Sequence, residues 1–144
     1  MTEETTNPEL TVYLRSSTPL PARDRQREVV VRAEQLEQEG RIESVRVRQW
    51  EDRIVVENGD EETVQTFETF KSRAAESGHS IEPFFQEHER AGTREIVVPI
   101  ICLAVHVGED LKRVFPCRDE NAAYSVWDCL TALETDGKLA DLAD

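Results

Sequence analysis

Residues 94–130, "REIVVPIICLAVHVGEDLKRVFPCRDENAAYSVWDCL", hold all three cysteines, Cys102, Cys117 and Cys129, and one of three histidines, His106. Cysteine and histidine in such density raise two chemistries, metal ligation and thiol nucleophilicity. On an extended strand Cys102 and His106 share a face, but a rise of about 3.3 Å per residue sets them about 13 Å apart, too far for one ion. His79, His88 or Cys117 would have to converge from other elements to complete a site. No CxxC or HExxH spacing occurs. The expectation is therefore no metal and no cofactor, with Cys102 and Cys129 packed as small hydrophobes. Cys117 is the reactive-thiol candidate, because it follows Pro116, adjoins Arg118 and stands just before a helix N-terminus, surroundings that favour thiolate. Its plain alternative is a packed cysteine at a strand end. No GxGxxG, Walker A, GxSxG or paired-carboxylate pattern is present. No catalytic residue is assigned, and the chain is expected to be non-enzymatic.

Arginine supplies the other candidate chemistry. Arg23, Arg25, Arg27 and Arg32 lie along a first helix, and Arg46 and Arg48 share one side of the next strand with Trp50. Planar guanidinium groups beside an aromatic ring grip phosphates or an acidic protein surface. Arg23, Arg27, Arg46, Arg48 and Trp50 are accordingly the candidate nucleic-acid or partner-binding residues. The competing reading is a solvated helix face threaded with Asp24, Glu28 and Glu34, plus ordinary cross-strand ion pairs.

These residues need elements to hold them. "LTVYLRSS" alternates as a strand over about 10–16, and two prolines break it. A helix over about 22–39 turns Val29, Ala33 and Leu36 inward and ends at Gly40. "SVRVRQWEDRIVVE" reads as a hairpin turning at Glu51-Asp52. A second helix over about 61–77 buries Val64, Phe67, Phe70 and Ala74 and stops at Gly78. "HSIEPFFQEHERAG" reads as a short edge strand interrupted at Pro83. "EIVVPIICLAVHV" is uniformly apolar and β-branched, which predicts one long strand covered on both faces. "GED" turns it, "LKRVFPC" returns it, and "DENAAYSVWDCLTALE" is a third helix capped by Asp119, with Ala122, Val126, Cys129 and Leu133 on its inner stripe. The order is β-α-β-β-α-β-β-β-α, an α+β domain with helices packed on a mostly antiparallel sheet. Residues 1–9 are expected to be a flexible leader, 10–136 one domain and 137–144 a frayed tail.

Composition narrows the setting. The 144 residues suit one core. Against 30 acidic residues stand 17 basic ones, a balance of −13, and Lys71, Lys112 and Lys138 are the only lysines. Strongly hydrated carboxylates with few lysines suit a halophilic cytosolic protein. Residues 1–53 hold nine arginines and 11 acidic residues, a balance of −2, whereas 54–144 hold 8 basic and 19 acidic, a balance of −11. An acidic total repels nucleic acid in dilute buffer, yet at molar salt the Debye length is about 3 Å and only contacting residues count. No leader peptide and no apolar run of membrane-spanning length is seen, and three cysteines without CxxC fit a reducing cytosol.

"LTVYLRSSTP", "RQREVVVRAEQLEQEGRIESVRVRQWEDRIVV", "SIEPFFQEHE" and "IVVPIICLAVHVGEDLKRVFPC" followed by "VWDCLTALE" together resemble a family of small haloarchaeal proteins designated as helix-turn-helix-domain-containing. The likeness spans about residues 10–134, rests on segment order, and lends no functional residue. The first functional expectation is a protein that acts by binding a protein partner or a second copy of itself. The alternatives are a transcription-associated DNA-binding protein using the Arg-rich N-terminal half, and a thiol or metal protein around Cys117. No membrane contact is expected.

Overall fold

The computed structural model describes residues 7–57 and 61–135. Of the expected leader at 1–9, residues 1–6 lie outside the described residues, as does the expected tail at 137–144, while Asn7 donates to the Gly40 carbonyl, Pro8 accepts from the Glu43 N–H and Glu9 opens the first strand. The order is β1 (Glu9–Arg15), α1 (Leu20–Gln38), β2 (Ser44–Trp50), β3 (Arg53–Val55), α2 (Glu61–Glu76), β4 (Gln86–Arg90), β5 (Thr93–Val97), β6 (Ile101–Val107), β7 (Asp110–Phe115), β8 (Cys117–Arg118), β9 (Ala123–Tyr124) and α3 (Val126–Thr135). The α+β class expected from the sequence is the class observed.

A four-stranded sheet, β2-β1-β6-β7, divides the molecule. β1 runs parallel to β2 and antiparallel to β6. The period-2 alternation of β1 gives the sheet two apolar faces. Leu10, Val12 and Leu14 join Leu103 and Val105 of β6 against Val29, Ala33 and Leu36 of α1 and Cys129, Leu130 and Leu133 of α3. On the opposite face Cys102, Ala104, Val114 and Trp50 meet Phe67, Phe70 and Ala74 of α2, with Ile54, Phe85 and Ile96 from a second sheet, β3-β5-β4. β6 is therefore covered on both sides, and residues 101–105 are all buried. Gly40 and Gly78 end α1 and α2 at φ +76° and +80°, backbone that suits glycine.

Three local expectations change. The segment 44–56 is not a hairpin: β2 pairs with β1 and β3 with β5, so the chain crosses from one sheet to the other at Glu51-Asp52. Glu-Asp lacks the positive-φ residues a two-residue hairpin requires. The apolar run 95–107 falls in two strands, divided around Pro99, where a missing N–H interrupts the ladder. Asp119 does not cap α3. Its Oδ1 accepts from the N–H groups of Asn121 and Ala122 in a turn, and Ser125 is the cap, exchanging bonds with Asp128 in a reciprocal box. Ala122 is thus exposed and outside the helix.

Candidate nucleic-acid interface

Parallel pairing sets Arg46 beside Thr11 and Arg48 beside Tyr13 on one sheet face, while Val45 and Val47 pair with Leu10 and Val12 and share the other. β2 terminates the sheet, so Arg46 and Arg48 stand on an edge strand, both exposed. Neither makes an ion pair among the described residues.

They border a groove of about 340 Å³ between the sheet and the start of α2, lined also by Thr11, Tyr13, Gln49, Glu62, Thr66 and His106. It leads past Phe70 and Leu111 into a broader channel, about 910 Å³, between α2 and the β6–β7 hairpin. That second channel carries Glu68, Glu76, Glu109 and Asp110 against Arg73 and Lys112, so acidic residues outnumber basic ones there, whereas Arg46 and Arg48 outnumber Glu62 at the β2 end. His106 stands between the two. Its pKa is lowered by burial, with the charge of Arg46 acting the same way and Glu9 opposing.

The five expected contact residues do not form one patch. Arg23 and Arg27 are exposed on α1, which covers the sheet face opposite to Arg46 and Arg48, and Arg27 lies 3.8 Å from Asp24. Trp50 is only 7% exposed. Its ring stacks on Tyr13 at 4.7 Å and meets Phe70 and Phe85 edge-on, so it supports the groove floor and offers no free face to a ligand. Arg32 is structural: it grips Glu134 of α3 through two bonds of 2.9 and 2.6 Å and covers the Trp127 ring. Tyr13 and His106 were missed as groove residues because only the pairing of β1 with β2 and β6 brings them beside Arg46 and Arg48, and Thr66 because only the packing of α2 on the sheet does so.

Cys117 departs from the expectation of an activated thiol. It is 1% exposed, and burial raises its pKa despite the hydrogen bond and charge of Arg113. Arg118 turns away to the carbonyl of Glu82, and β8 and β9 separate Cys117 from the first turn of α3. Cys102 and Cys129 are fully buried with raised pKa values, again through burial. The three histidines serve different places: His79 faces Tyr124, His88 reaches Gln86, and His106 lines the groove.

No helix is long and apolar enough to cross a membrane among the described residues. A family model described as a helix-turn-helix domain matches residues 2–138. No curated protein and no solved structure gives a match. Among the described residues no two helices are joined by a short turn: β2 and β3 separate α1 from α2, and six strands separate α2 from α3.

Proposed function

The chain belongs to the helix-turn-helix domain family, and we propose from that premise that it is a non-enzymatic, cytosolic, salt-adapted regulatory protein that binds DNA. The family match over residues 2–138 carries the reading. What supports a site for it is the pair of exposed arginines on β2, free of carboxylate partners among the described residues and set at the rim of a groove. Strands and strand edges serve as readers in several DNA-binding folds, and guanidinium groups at an edge reach phosphate oxygens without a helix entering the groove. Arg23 on α1 lies on the far side of the sheet and takes no part in this site.

Gel shifts over a salt series test this reading. The double variant Arg46→Ala/Arg48→Ala should bind more weakly, and its slope of log K against log salt should fall by about 2, near 0.9 for each lost phosphate contact. No binding to genomic fragments at any salt, or an unchanged slope in the variant, overturns it.

A protein partner is the second reading, favoured by the outer edge of β2, where Val47 is 46% exposed. Two copies pairing antiparallel through Val47 would set Arg46 against Arg48 of the other, a repulsion that blunts self-pairing and suits an acidic strand better.

A further inference from the structure

We propose that a small inorganic anion, of the size and charge of chloride, binds between α2 and β7. A cavity of about 10 Å³ lies there, lined by Arg73 and Ser77 of the α2 end, His79, Lys112 and Arg113 of β7, and Cys117. In a chain with 30 acidic residues, no carboxylate lines it. Arg73 Nε and Arg113 Nη2 are both buried without a hydrogen-bond partner among the described residues. The carboxylates nearby are committed elsewhere. Glu76 takes Nη1 of Arg73 at 2.8 Å, and Asp119 takes two backbone N–H groups and the Tyr124 hydroxyl. Arg113 is held in place over the Phe115 ring at 4.9 Å.

Two buried guanidinium donors on different elements require an acceptor, because a buried donor left unpaired is destabilising. The cavity admits one atom-sized occupant, about a single water-sized sphere, which excludes phosphate and sulfate. Water would accept from the donors and leave the charge of Arg113, which makes no ion pair among the described residues, without a counter-charge. A monatomic anion answers both, and it ties α2 to the β7 edge of the sheet. This site is separate from the β2 arginines and stands or falls independently of DNA binding.

The test is a thermal melt of the full chain titrated with potassium chloride, with ionic strength held constant by potassium gluconate, whose anion is too large for the cavity. The midpoint should rise with chloride and saturate, and the saturable part should be lost in Arg113→Gln and weakened in Arg73→Gln. Should either variant fail to fold, diffraction from wild-type crystals grown in millimolar bromide decides the matter, with an anomalous peak expected between Arg73 and Arg113. A midpoint that follows ionic strength alone, a saturable rise retained in Arg113→Gln, or a bromide-free cavity holding water would each overturn the proposal.

Discussion

The thiol of Cys117 shows how little a sequence neighbour decides about reactivity. Arg118 adjoins it along the chain, yet the cation that acts on its sulfur is Arg113, and burial outweighs even that. Since the thiolate is the nucleophile, raised pKa values at Cys102, Cys117 and Cys129 predict inert cysteines. In iodoacetamide at pH 8 the native protein should gain no adduct over an hour and the denatured protein should gain three. Prompt native labelling at Cys117 would show that the strand end opens. Trp50 teaches the same lesson from the other side. Alternation correctly puts it on the face of Arg46 and Arg48, but two residues further along β2 that face passes from open groove to aromatic core.

Between elements, the bonds that matter join partners distant in the chain. Glu87 of β4 receives Lys71 of α2 at 2.6 Å and Arg94 of β5 at 2.6 Å, and Arg94 continues to Glu68 of α2 at 2.9 Å. Burial alone would raise the pKa of Glu87, but the hydrogen bonds from Lys71 and Arg94 prevail and lower it below 4.5. A lowered folded pKa means stability that is present above the unfolded carboxylate range and lost as pH falls through the folded value. Glu87→Gln should therefore cost about 1–3 kcal/mol at pH 7. In urea melts the gap between variant and wild type should close as the pH falls below 4.5. A gap that persists in acid would mark a packing effect instead. The sequence displayed the helices well, because Val29, Ala33, Leu36, Phe67, Phe70 and Ala74 repeat at the helical period and all are buried. Strand partners were not legible. Two apolar strands joined through Pro99 look like one, and whether β2 meets β3 or β1 depends on tertiary pairing that no local pattern encodes. The groove beside Arg46 and Arg48 was hidden for the same reason. The buried Gln26 was hidden too: from α1 its amide bonds the carbonyls of Arg15 and Ile100, fastening β1 to the entry of β6.

Across the whole molecule the charge balance of −13 is a source of repulsion whose range salt controls, from about 30 Å at 0.01 M to about 3 Å at 1 M. Added salt also strengthens burial of the two apolar faces of the central sheet. The thermal midpoint is expected to rise from 0.1 to 3 M KCl, and a flat or falling midpoint would separate the acidic composition from any adaptation to salt. The strand order has a further consequence, in time rather than in space. β1 is the second strand of the sheet and leaves the ribosome well before its partner β6, which begins only at Ile101. At about 5–20 residues per second the emerging β-α-β unit waits several seconds with one edge of β1 unpaired and its leucines half covered. Nascent β1, α1 and β2 therefore form the stretch on which a chaperone has the longest opportunity to act, and the arginines of β2 keep its outer edge charged throughout that interval.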